Sequence, residues 1–161
     1  MAFQNTTLCY IEKDDDILFV VKGGKGDLND GKYLGVGGHV EKGESPRECI
    51  VREIYEETGL FEKDIDDLRL SGIVTFTNTE CEDEYMYVFR AYYIGTGDPC
   101  NDHKDADGEG QLVWIPRGNI RSLPIWEGDR IMFDLMFRND PFFMLKLEYE
   151  GDVLKAYKIE K

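Results

Sequence analysis

Glu53, Glu56 and Glu57 stand at i, i+3 and i+4. At about 100° per residue, three carboxylates so spaced share one face of a helix. Ile50, Val51, Ile54 and Tyr55 fall on a different arc, so one side can be buried while the other holds acid. A run of charge is ordinarily a solvated helix face. Crowded carboxylates nevertheless repel one another unless a cation sits among them. An all-oxygen donor set suits a hard divalent ion, magnesium first and manganese as the alternative. Gly35, Gly37 and Gly38 lie just upstream, where the backbone can approach a ligand closely or present a carbonyl, that of Gly38 among them, to a metal. Glu44 and Arg52 can pair if the chain before the helix folds back over it.

The helix that must carry these groups is marked at both ends. Ser45 with Glu48 forms a capping box, Pro46 takes the first helical position, and Gly59 supplies a left-handed stop. Around it, Thr7 to Lys13 and Ile17 to Lys22 alternate as paired strands joined at Asp14-Asp15-Asp16, a solvated turn. The glycine-rich run KGGKGDLNDGKYLGVGG reads as irregular. Gly26, Gly31 and Lys32 have nearly the spacing of a P-loop. Tyr33 then stands where a metal-binding hydroxyl is needed and no helix follows directly, so that reading fails. The run is better taken as a wall of a substrate pocket, with Lys22, Lys25 and Lys32 available to phosphates.

Downstream, Leu70 to Thr77, Glu84 to Ile94 and Gln111 to Ile115 read as strands, the second covered on both faces because of its many aromatics. The acidic loop Thr96 to Gly110 carries His103 and lacks an EF-hand's ligand order. Trp114 reads as core. Ile125 to Phe137 suits an amphipathic helix despite Gly128, and Phe142 to Tyr149 pairs with Val153 to Ile159 across Glu150-Gly151-Asp152. With no internal repeat or linker, residues 1–161 are expected to form a single α+β domain: a mixed sheet sandwiched between helices, ending in a β-hairpin.

The formal charge of −14 offers no general attraction to nucleic-acid polymers or anionic membranes. It leaves room for a small anionic substrate, because a bound cation inverts the local field. The N-terminal residues lack the plan of a signal peptide, and no stretch is long enough to span a bilayer. Cys9, Cys49, Cys81 and Cys100 are scattered without a C-x-x-C, which reads as reduced thiols in a cytoplasmic protein.

Gly38, Glu44 and the run Arg52-Glu53-Ile54-Tyr55-Glu56-Glu57-Thr58-Gly59-Leu60 match the Nudix box at every defined position, and the chain resembles the Nudix hydrolases on that ground. The resemblance implies a fold of the kind described and metal-assisted hydrolysis of nucleoside diphosphates linked to another moiety. The wider layout is most similar to the MutT branch, which clears oxidised purine nucleotides such as 8-oxo-dGTP. That likeness implies several outlying roles. The run Tyr33-Leu34-Gly35-Val36-Gly37-Gly38 would be a pocket segment, and Glu109 an added metal ligand. Trp126 would stack on the base and Asp129 would hydrogen-bond the purine. Two positions depart from the branch: Leu34 replaces a polar base-reading residue, and Gly128 occupies one of a usual acidic pair.

The implied reaction releases nucleoside monophosphate and pyrophosphate, with Glu53, Glu56 and Glu57 on the metal. Whichever box glutamate is not committed to metal can serve as base, and Glu53 is taken first. Arg52 would orient a glutamate, with Glu44 holding Arg52. Other Nudix substrates remain open (ADP-ribose, a sugar nucleotide, a dinucleoside polyphosphate), as does a nucleotide-binding module without catalysis.

Overall fold

Strand β1 (Gln4–Lys13) sets the layers. Its side chains alternate, so Cys9 and Ile11 enter one apolar cluster and Tyr10 enters another on the opposite side of the sheet. The first cluster is closed by Ile50 and Ile54 of α1 (Pro46–Thr58). The second is closed by Met132, Phe133 and Met136 of α3 (Glu127–Phe137), where Tyr10 meets Phe133 edge-on at 4.8 Å between centroids. In this computed structural model, which describes residues 3–23, 27–102, 110–138 and 142–160, the expected mixed sheet between helices is therefore present.

The remaining strands are β2 (Asp16–Lys22), β3 (Tyr33–Leu34), β4 (Val36–His39), β5 (Ile65–Asn78), β6 (Glu84–Tyr93), β7 (Gly110–Pro116), β8 (Phe143–Glu150) and β9 (Val153–Glu160). A short α2 (Pro99–Asp102) precedes β7. The sheet runs β3-β2-β1-β6-β5-β8-β9, with β1–β6 and β5–β8 parallel and the other pairs antiparallel. β1 and β2 pair only beside their turn, at Glu12↔Ile17 and Lys13↔Asp16. Beyond that point they part. β4 takes the freed edge of β1 from Thr6 to Cys9, while β7 runs along β2. This fork lays the glycine strand β4 beside α1, where the acidic face begins.

At the far end of β1, buried Glu12 accepts from Arg90 at 2.9 Å and from Arg117, tying β6 and the turn after β7 to the core. None of the described helices is long and apolar enough to cross a membrane.

The structure corrects three details. The glycine-rich run is not wholly irregular, since its last part forms β3 and β4. Glycine disfavours strands in general, but here it is demanded by close approach: a Cβ on Gly37 would lie 1.9 Å from the Thr7 carbonyl oxygen. Strand β6 is covered on both faces only in its middle, at Val88, Phe89 and Ala91, while Tyr85 and Tyr92 are about two-fifths exposed (39% and 42%). Helix α3 starts at Glu127, with Trp126 as its N-cap, so Gly128 falls in the first turn.

Candidate active site

The start of α1 is built as its sequence requires. Ser45 accepts from the Glu48 backbone at 3.1 Å and Glu48 reaches back to the Ser45 N–H at 3.0 Å. Gly59 ends the helix at φ +76°, its N–H donating to the Tyr55 carbonyl. The segment before the helix does fold back. Arg52 donates to both oxygens of Glu44, at 2.7 Å from Nε and 2.9 Å from Nη2. The same guanidinium donates to Glu53 at 2.8 Å, to Glu56 at 3.2 Å and to the His39 carbonyl at 3.0 Å.

These contacts set the charges. The Arg52 fork, assisted by the Glu41 backbone, pulls the Glu44 carboxyl down to about 2, and Glu44 in turn raises Arg52. Burial pushes Glu53 above the ordinary carboxylate range, with Glu56 and Glu44 adding to it and Arg52 opposing.

Glu53 lies against Gly38. A Cβ built on Gly38 would fall 2.5 Å from Glu53 Oε1 and 2.8 Å from Oε2, so this glycine is the space in which the carboxylate sits. The Gly38 carbonyl receives long contacts from Thr7 Oγ1 at 3.3 Å and Cys49 Sγ at 3.8 Å. Among the described residues no three acidic, histidine or cysteine side chains converge as a closed metal cage. Glu53 and Glu56 turn to Arg52, and Glu57 faces a cavity. The donor set on that helix face is nevertheless all carboxylate oxygen, which is the chemistry a hard divalent cation takes.

The cavity, about 680 Å³, starts at Gly37, Gly38, His39 and Glu57 and crosses the sheet on the side of α3. Its far end is aromatic and acidic. Trp126 stands edge-on to Tyr149 at 4.9 Å and to Phe76 at 5.7 Å, and its Nε1 donates to Asn29 Oδ1 at 2.7 Å. Lys32 Nζ lies over the indole at 4.9 Å. Asp129 lines the same end; burial pushes its carboxyl up to about 7, against the pull of Arg130 and of the Trp126 backbone. Gly128 N–H donates to the Tyr149 hydroxyl at 2.7 Å. A side chain at 128 would meet Leu147 at 2.5 Å and that hydroxyl at 2.8 Å, so an acid there would have to displace both.

Of the residues singled out in the sequence, Lys22, Leu34, Gly38, Glu57, Trp126 and Asp129 line this one cavity. Tyr33 does not: its ring packs on the core beside Phe19 at 6.3 Å. Trp114 is a partly buried residue packed on the α1-side core, its indole N–H 3.2 Å from Asp98. Lys25, His103 and Glu109 lie outside the described residues. Sequence reasoning passed over Thr6, Asn29, Phe76, Glu84 and Tyr149, all of which line the cavity. For Thr6, Phe76, Glu84 and Tyr149 the signal is register, since residues far apart in the chain become neighbours once β1, β5, β6 and β8 are paired, while Asn29 comes from the turn before β3.

Comparison with known proteins places this geometry. The NUDIX domain model matches residues 2–136. The uncharacterised Nudix hydrolase YvcI of Bacillus subtilis is 30% identical over 161 residues, spanning 98% of this chain and 94% of its own. The oxidized purine nucleoside triphosphate hydrolase of Danio rerio is 28% identical over 159 residues, covering 96% of this chain and 93% of its own. Among solved structures, a MutT protein of Bacillus halodurans has a TM-score of 0.76 at 24% identity and covers 98% of each chain, a likeness of fold.

Proposed function

The chain belongs to the NUDIX family, and from that premise we propose that it hydrolyses purine nucleoside triphosphates, oxidised ones such as 8-oxo-dGTP included, to the monophosphate and pyrophosphate. One observation carries the reading. A single cavity joins the box end, at Gly38 and Glu57, to an end furnished with Trp126, Tyr149 and Asp129. A polyanion suits the first end once a cation is bound, and a flat base with polar edges suits the second. The activity for which the Danio rerio relative is named supports the same substrate class.

Glu53, Glu56 and Glu57 would hold magnesium, or manganese in its place, with the Gly38 carbonyl and Glu109 as further oxygen donors. When bound, the cation supplies neutralisation of the polyphosphate and a lowered pKa for water near it. The chain's own residues do the rest. Glu53 takes the proton of the attacking water through a carboxylate oxygen that the cation leaves free. The water oxygen bonds to one of the two phosphorus atoms of the α–β bridge, the bond from that phosphorus to the bridging oxygen breaks, and the other fragment leaves with the bridging oxygen and its electrons, giving monophosphate and pyrophosphate. Arg52 fixes the Glu53 carboxylate through Nη1, and Glu44 fixes Arg52 through two hydrogen bonds. Lys22 meets phosphate oxygens, Trp126 stacks on the base, and Asp129 hydrogen-bonds its edge. Leu34 supplies an apolar wall.

The test follows pyrophosphate release from canonical and oxidised nucleoside triphosphates, and release of AMP with ribose 5-phosphate from ADP-ribose, with magnesium and with chelator. Magnesium-dependent release from a purine triphosphate supports the proposal. Preference for ADP-ribose replaces the substrate, and silence across the panel from folded protein removes catalysis.

A further inference from the structure

Between the two ends of the cavity lies a polar pair that the hydrolytic chemistry leaves unused. Glu84 lines the cavity, and so does Thr6, which is only 7% exposed and whose Oγ1 is closed off from solvent. The Glu84 carboxyl is raised by burial, and His39 and the Thr6 hydroxyl draw it back down. The hydroxyl therefore favours the charged carboxylate from behind, while the carboxylate itself borders the cavity.

Register fixes where this pair stands. Glu84 on β6 is paired directly with Phe76 on β5, the ring that abuts Trp126. On its other side β6 pairs with β1, where Gln4 is the partner of Glu84 and Thr6 that of Met86. Thr6 is in turn opposite His39 on β4, next to Gly38. With strands about 5 Å apart, Glu84 sits one strand from the aromatic end and two strands, about 10 Å, from β4. In any nucleotide the group between phosphate and base is the sugar. A carboxylate there is an acceptor for neutral hydroxyl donors, and it stands away from the polyphosphate that would repel it.

Resting on the function proposed above, we infer that Glu84, positioned by Thr6, binds the sugar hydroxyls of the substrate and selects ribose over 2′-deoxyribose. Glu84 accepts from one or both hydroxyls of the cis-diol. Thr6 is a positioning residue that steadies the charged carboxylate from behind. A deoxynucleotide leaves part of that carboxylate unsatisfied inside the cavity, which is a strong source of discrimination.

The experiment compares kcat/KM within pairs that share a base (ATP with dATP, GTP with dGTP, 8-oxo-GTP with 8-oxo-dGTP) for the wild type and for Thr6→Val, Glu84→Gln and Glu84→Met. Thr6→Val and Glu84→Gln keep shape while removing the hydroxyl or the charge. The wild type should favour ribose by roughly tenfold or more, the worth of a hydrogen bond to a charged group. In folded variants, confirmed by thermal melting, the ratio should fall towards one, through KM more than kcat. A wild-type ratio near one, an unchanged ratio in the variants, or equal losses on both sugars would overturn the assignment. So would a shift in preference among bases at constant sugar, which would make the pair a base reader. Silence on every triphosphate would remove the proposed function and this inference together, whereas turnover without sugar preference removes the inference alone.

Discussion

Replacing Gly38 by alanine tests the site at its tightest point. The added Cβ would lie 2.5 Å from Oε1, 2.6 Å from Cδ and 2.8 Å from Oε2 of Glu53. Relief to a bare 3.0 Å needs a displacement of 3.0 − 2.5 = 0.5 Å, and ordinary contact at 3.4 Å needs 0.9 Å. All three carboxylate atoms are struck, so rotation about the last bond does not help, and the group must swing against its 2.8 Å hydrogen bond from Arg52. Misplacing a reacting group by about 1 Å costs on the order of 10²-fold in rate, so kcat should fall roughly 10- to 100-fold. Stability should change less. Gly38 does not occupy the left-handed region, so alanine narrows the unfolded ensemble by about 0.4–1 kcal/mol, and the displaced carboxylate offsets that gain. The assay is pyrophosphate release across a magnesium series, beside a thermal melt. Activity within twofold of wild type in a folded variant would refute the claim that Glu53 works from the place Gly38 leaves for it. Gly37→Ala gives the contrast: its Cβ strikes the Thr7 carbonyl at 1.9 Å, backbone that cannot yield, so it should lose about 1–3 kcal/mol of stability.

Glu56→Gln should lower kcat by roughly 10²-fold or more and raise the magnesium needed, at an unchanged melting temperature; unaltered turnover would remove Glu56 from the site. Asp129, raised to about 7 from an ordinary 3.8, stays protonated in the folded chain where the unfolded chain has lost its proton. Its contribution is present below about pH 4 and is lost as pH rises through 7, by at most about 4 kcal/mol. Melting curves at pH 5 and pH 8 should therefore diverge more for the wild type than for Asp129→Asn, and parallel profiles would count against burial of this carboxyl. Glu12→Ala leaves Arg90 and Arg117 without their shared acceptor and should cost about 3 kcal/mol in urea unfolding, with the substrate profile kept.

What could be read from the sequence follows the range of the interactions. The limits of α1 were legible because each end signal acts within one turn: Ser45 on Glu48, Gly59 on Tyr55. The acidic face was legible for the same reason. β4 was not, because Gly37 and Gly38 are glycines on account of Thr7 and Glu53, contacts that no local pattern announces. The cavity divides along the same line. Trp126 and Asp129 came through resemblance, while Thr6 and Glu84 meet only because β1 runs parallel beside β6. The departure at Gly128 has its answer at Tyr149, on a strand that is distant in sequence and whose hydroxyl occupies the space a side chain would need.

The repulsion that first pointed to a cation also has a more complete answer. Glu53 and Glu56 are not left to face one another, because Arg52 Nη1 lies 2.8 Å from the first and 3.2 Å from the second while Nε and Nη2 are committed to Glu44. A guanidinium holds its charge at every accessible pH, so it screens these carboxylates from one another throughout that range. The fixed pair Glu44–Arg52 anchors the guanidinium from outside the helix, and its bonds to Glu53 and Glu56 are what an incoming cation must compete with. Glu57, on the same helix face, lines the cavity. One arginine thus ties the acidic face of the helix to the segment before it, and the spacing of Glu44, Arg52, Glu53 and Glu56 is what lets its three nitrogens reach all three carboxylates.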